Sequence, residues 1–194
     1  MRSGTDKREA SFDNIVLAGF MGSGKSAVGR VLAGLLGWKF VDTDTLISDR
    51  AGKGIPAIFE EEGEGGFRAR EREAITSLTG ETRLVVATGG GAPTDPDNLN
   101  KLRTLGPIVH LSATPDTILA RIGAGEHRPL LAGSPDREER LARIRALLDE
   151  RTPAYARSDL KVETDGRDVE GVAAAILKDL DRTSPGARTG AGGI

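Results

Sequence analysis

Cysteine is absent from the 194 residues, which removes disulfides, thiolate nucleophiles and cysteine-based zinc sites from the available chemistry. Histidine occurs only as His110 and His127, too few and too scattered for a histidine-built metal centre. The chain is poor in aromatics, with five Phe, one Trp and one Tyr. No apolar run approaches the ~20 residues needed to span a bilayer, and the polar opening MRSGTDKREASFDN lacks the apolar stretch of a signal peptide. An excess of one charge is missing too. Against 29 Asp+Glu stand 27 Lys+Arg, for a formal charge of -2, and no long basic block marks a nucleic-acid surface. These absences lead us to expect a cytoplasmic protein without membrane or nucleic-acid partners, in which a few local arginines can still hold a small anion.

What is present fits one globular domain, with 38% hydrophobic and 29% charged residues. We expect a flexible polar leader over 1–13, a single domain over 14–182, and a disordered tail over 183–194. Apolar runs rich in β-formers fall at Asn14–Gly19, Lys39–Asp42, Arg83–Thr88 and Pro107–Ser112, with a fifth at Asp159–Glu163. Helical patterns lie between and after them, at Ser26–Leu36, Glu64–Leu78, Asp95–Thr104, Thr114–Ile122, Asp136–Glu150 and Asp168–Leu180. Such alternation predicts an α/β protein with a parallel sheet covered on both faces. Ligands in these sheets sit beyond the carboxyl ends of the strands, and here those ends carry unusual residues. With no sustained heptad or apolar interface strip, a monomer is expected.

The first strand runs into GFMGSGKS, Gly19 to Ser26. This fits G-x-x-x-x-G-K-[ST] between strand and helix, where glycines let amides wrap a phosphate, Lys25 adds a charge and Ser26 can ligate Mg²⁺. Asp42 and Asp44 follow the second strand. If that strand persists they share a face, suited to placing a metal and receiving a hydroxyl's hydrogen bond; otherwise an aspartate caps the next helix. The third strand ends in Gly89, Gly90 and Gly91, read either as backbone approaching a ligand or as a loose turn. On the intervening helix Arg68 and Glu71 are spaced i, i+3, so an ion pair can fix the guanidinium as a carboxylate clamp, unless this is merely a solvated face. Gly, Pro and Ser surround Arg128 in GAGEHRPLLAGS, which reads as a lid over about 123–136 whose arginine can stabilise a transferring phosphoryl group. Arg151, in ERTPAY, is a further anion ligand. Arg137, Arg140, Arg143 and Arg145 read as the solvated face of their helix.

Taken in order, GFMGSGKS, the DTD of Asp42–Asp44, GExxFRxxE over Gly63–Glu71, GGG, and RPLL with the R-x-P-x-Y of Arg151–Tyr155 resemble the shikimate kinase family. The match runs from about Asn14 to about Leu180. The resemblance implies a three-layer P-loop kinase fold, with a five-stranded parallel sheet in the order 2-3-1-4-5, a lid, and a substrate-binding segment over about 43–78. It further implies phosphorylation of the 3-hydroxyl of shikimate by ATP, with one Mg²⁺ ion. By position, Gly22, Ser23, Gly24, Lys25, Ser26 and Ala27 would hold ATP, with Arg121 and Arg167 near adenine. Asp44 would hold the substrate hydroxyls and act as base, Arg68 and Arg151 would clamp the carboxylate, and Phe59, Phe67 and the backbone of Gly89, Gly90 and Gly91 would complete the substrate site. Ser26 would ligate Mg²⁺ directly and Asp42 through water, while Lys25 and Arg128 would stabilise the transferred group. A gluconate kinase-like enzyme shares the phosphate loop but lacks FRxxE and GGG. A regulatory GTPase module would need N-K-x-D, and NKLR at Asn100–Arg103 has no Asp.

Overall fold

A computed structural model describes residues 12–123 and 136–183. The strands are β1 Asn14–Ala18, β2 Lys39–Asp42, β3 Leu84–Ala87, β4 Ile108–Ser112 and β5 Leu160–Glu163. All neighbours are parallel, in the order β2-β3-β1-β4-β5. Asp42 lies opposite Ala87, Leu17 opposite Ala87 and Ala18 opposite His110. The carboxyl ends therefore finish together along one edge, and the three loops singled out by their residues meet there.

The helices are α1 Lys25–Leu36, α2 Thr43–Ala51, α3 Ile55–Thr76, α4 Pro96–Leu105, α5 Pro115–Ile122, α6 Arg137–Tyr155 and α7 Val169–Thr183. Alternation along β1 divides the core. Ile15 and Leu17 face α1 and α7, with Leu32, Val172 and Ile176, whereas Val16 and Ala18 face α3 and α4, with Ile75, Leu99 and Leu102. Both faces of the sheet are covered, which is why β1 is apolar at every other position on each side. Each such leucine or isoleucine contributes about 1.5–3 kcal/mol by leaving water. Smaller clusters join α5 to α6 through Ile118, Leu141 and Ile144 under Phe20, and α2 to α3 through Ile47, Ile58 and Phe67.

Two local expectations change. The second strand stops at Asp42, whose carboxylate accepts the Asp44 N–H at 3.1 Å and caps α2. Asp44 thus stands in the first turn of a helix, and strand alternation does not apply to it. The helix expected from Glu64 begins at Ile55 and turns at Gly63, where φ is 68°. Arg137, Arg143 and Arg145 are exposed, as a solvated face requires, whereas Arg140 is half-buried and donates to the Gly123 carbonyl. Among the described residues no helix is long and apolar enough to cross a membrane. The leader through residue 11, the tail from 184, and residues 124–135 of the expected lid, with Arg128, lie outside the described residues.

Candidate active site

The phosphate loop owes its path to glycines: Gly19, Gly22 and Gly24 have φ of 145°, 76° and 98°, values that side chains with a Cβ rarely adopt. Lys25 donates from Nζ to the carbonyls of Gly19 and Phe20 at 2.8 and 2.9 Å, closing the loop on itself. The Ser23 hydroxyl is buried inside the loop with no hydrogen-bond partner. Ser26 donates to Asp42 Oδ2 at 2.7 Å, joining the start of α1 to the end of β2. Arg121 ties the loop to the residue that follows β5, donating to the Gly22 carbonyl at 3.3 Å and to the Thr164 hydroxyl and carbonyl at 2.8 Å each.

After β3 the GGG turn threads between functional side chains. A Cβ on Gly89 would lie 2.8 Å from Asp44 Oδ1 and 3.0 Å from Glu71 Oε1. On Gly90 it would lie 3.1 Å from Arg151 Nη1, and on Gly91 2.8 Å from Arg68 Nη1. None of the three has a positive φ, so glycine is required here for space. The Gly89 N–H donates to the buried Thr43 hydroxyl at 2.9 Å, holding the turn to α2.

Arg68 donates to Glu71 Oε2 and Glu64 Oε1, both at 3.1 Å, and lies over the Phe67 ring. Phe67 stacks on Phe59 with centroids 4.7 Å apart. Glu71 is 1% exposed and its Oε1 has no hydrogen-bond partner. Burial raises this carboxyl above the usual range; Arg68 pulls the other way, and Asp44 and Asp95 add to the rise. Burial opposes the Arg68 charge, but the pull of Glu71 and Glu64 outweighs it. Arg151 is buried on α6 with its guanidinium 5.3 Å from the Phe20 ring centroid.

The phosphate loop, the end of β2, the start of α2 and the GGG turn surround a cavity of about 370 Å³ lined by Gly22, Gly24, Lys25, Ser26, Ala27, Asp42, Asp44 and Gly90, together with Met21, Thr45 and Thr88. A groove of about 480 Å³ along α3 includes no strand end or phosphate loop, so size alone does not pick out the site. No cluster of three or more His, Asp or Glu able to hold a metal occurs among the described residues. The Ser26–Asp42 pair instead presents two hard oxygen donors, which suits an ion that takes its remaining ligands from a nucleotide and water.

The family model for shikimate kinase matches residues 21–181. A shikimate kinase from Moorella thermoacetica is 45% identical over 167 residues, covering 86% of this chain and 94% of its own. The chain belongs to the shikimate kinase family. Among solved structures, the shikimate kinase from Acinetobacter baumannii in complex with shikimate is 39% identical with a TM-score of 0.83, over 89% of this chain and 95% of that one. A gluconokinase from Sinorhizobium meliloti 1021 has a TM-score of 0.57 over 91% of this chain and 95% of its own, and at 19% identity it shares the fold alone.

Within this shikimate kinase fold, the residues expected at the site separate into two groups. Lys25, Ser26, Asp42, Asp44 and Gly90 meet at the cavity, while Arg68, Arg151, Phe59 and Phe67 gather around the GGG turn and α3. Arg121 stands at the phosphate loop, and exposed Arg167 reaches the same sheet edge through its N–H to the Thr164 carbonyl at 3.4 Å. No motif singles out Asn98 or His110. Buried Asn98 reaches Glu71 Oε2 at 3.5 Å, a contact between α3 and α4 with no local signature. Tyr155 did carry a signal, since it follows Arg151 by four residues on one helix face.

Proposed function

We propose that the chain transfers the γ-phosphoryl group of ATP to the 3-hydroxyl of shikimate, yielding shikimate 3-phosphate and ADP, a step of aromatic amino-acid biosynthesis. The observation that carries this reading is the GGG turn, whose successive glycines border the Asp44 carboxylate, the Arg151 guanidinium and the Arg68 guanidinium. A hydroxylated carboxylic acid has the complementary groups. Its carboxylate accepts from the two arginines, which turns its hydroxyls toward Asp44 and the phosphate loop.

In this mechanism Asp44 accepts the hydrogen bond of the attacking hydroxyl and takes its proton as the new P–O bond forms, while ADP leaves with the electrons of the broken bond. Lys25 gives up its loop carbonyls for the β- and γ-phosphates, and the loop amides and buried Ser23 hydroxyl face the phosphates. Arg121 and Arg167 border adenine. Phe59 and Phe67 wall the acid's apolar face. Ser26 would hold one Mg²⁺ directly and Asp42 through water; the ion, when bound, neutralises phosphate charge. Arg128, in the segment expected as a lid over about 123–136, would stabilise the charge on the transferring group. Segment 43–78 binds the acceptor, and the domain spans 14–182. We place this activity in a cytoplasmic monomer, where ATP and Mg²⁺ are supplied.

The test is ADP release from Mg-ATP with shikimate, gluconate, quinate or no acceptor at matched concentrations. Turnover dependent on shikimate and well above the others is expected. ADP release indifferent to shikimate would overturn the acceptor and leave only the nucleotide site.

A further inference from the structure

Tyr155 and Arg151 are both buried on one face of α6 and address the same glycine. Arg151 Nη1 borders the Cα side of Gly90, and the Tyr155 hydroxyl donates to the Gly90 carbonyl at 2.7 Å. Each also leans on a ring. Phe20 lies under the guanidinium, while Tyr155 stacks on His110 with centroids 4.5 Å apart and planes 20° from parallel. His110 is fixed by the sheet itself, opposite Ala18 on one side and Lys161 on the other. Because the hydroxyl stands at the far end of the phenol, a small tilt of an unsupported ring would take it out of hydrogen-bond range.

We infer that His110 is a positioning residue for the acceptor's carboxylate site: its ring is the platform that holds Tyr155 on the Gly90 carbonyl. A trans peptide held by its carbonyl sends the next N–H the opposite way. Gly90 faces Arg151 and Gly91 faces Arg68, so the pinned peptide lies between the two clamp guanidiniums. Charge supports the arrangement. Burial, with Lys161 and Lys25 nearby, brings the imidazole down to about 4, leaving the ring neutral against Tyr155 at neutral pH. Burial holds the Tyr155 phenol at about 12, so it remains a donor. The inference rests on the acceptor reading above.

The test compares wild type with His110→Ala, His110→Phe, Tyr155→Phe and the double variant His110→Ala/Tyr155→Phe. His110→Ala is expected to raise KM for shikimate about five- to tenfold, the worth of one hydrogen bond, with kcat and KM for ATP within about twofold. His110→Phe, which restores a flat ring, returns KM to near wild type. Tyr155→Phe gives a rise like that of His110→Ala, and the double variant is no worse than Tyr155→Phe alone. Additive rises in the double variant, or a His110→Phe as impaired as His110→Ala, overturn the inference. A second measurement does not depend on the acceptor: amide hydrogen exchange over residues 88–94 quickens in His110→Ala and stays at the wild-type rate in His110→Phe. If wild type shows no shikimate-dependent turnover, the acceptor reading fails, and unchanged exchange in His110→Ala separately overturns the platform.

Discussion

The turns after β1 and β3 are both glycine-rich, yet they need glycine for opposite reasons. In the phosphate loop three glycines take φ values between 76° and 145°; the demand is conformational and comes from the loop's own path. In the GGG turn φ is not positive, and each missing Cβ makes room for a side chain delivered by α2, α3 or α6. One turn carries its reason in its own residues. The other borrows its reason from distant chain segments, such as Arg151 against Gly90.

The largest expected effect breaks the first turn. In Gly19→Ala the φ of 145° becomes strained, and the new methyl presses on the Leu111 carbonyl oxygen. Strain of roughly 1–3 kcal/mol is a large share of a margin of about 5–15 kcal/mol, so Tm and turnover both fall steeply. A wild-type Tm in this variant would contradict the conformational account. Asp44→Asn should lose about 10²–10⁴ in kcat with Tm nearly unchanged; near-normal turnover would remove Asp44 as the base.

Gly89→Ala sharpens the contrast. Its methyl meets the oxygens of Asp44 and Glu71, both at the ends of side chains able to shift. Tm should fall less than in Gly19→Ala, while displacement of Asp44 lowers turnover about tenfold to a hundredfold. The reverse order of Tm losses would defeat the distinction between conformation and space.

The smallest effect concerns pH. His110 is depressed from 6.5 to about 4 in the folded chain, so between those values the unfolded chain binds more protons. Stability from this group is complete above about pH 6.5 and is lost as pH falls toward 4. Urea midpoints of His110→Phe should therefore decline less than those of wild type over that window, and parallel declines would show that the imidazole carries no such linkage.

Much of this was legible because the apolar run of a buried strand and the phosphate loop are each written in near neighbours in the chain. The five strands were located to within a residue or two, since short apolar runs between turn residues leave few alternatives. Lys25 and Ser26 were legible for the same reason, and Arg68 with Glu71 followed from helix geometry. The first half of α3 was not legible: IFEEEGEGG has little helical periodicity, and Ile58 is fixed by packing with Ile47 and Phe67 instead. Asp44 was identified, but its position came from the Asp42 cap and not from strand alternation.

By itself, then, the order of residues determined the α/β alternation, the phosphate loop and the pairing of Arg68 with Glu71, all governed by interactions within a few positions. Only the tertiary structure decided that Arg151 and Tyr155 converge on Gly90, that His110 lies against Tyr155, and that Asn98 reaches Glu71. Those contacts join residues 27 to 65 positions apart, and no local periodicity encodes them. They arise when the sheet sets its carboxyl ends on one edge and the helices close over it.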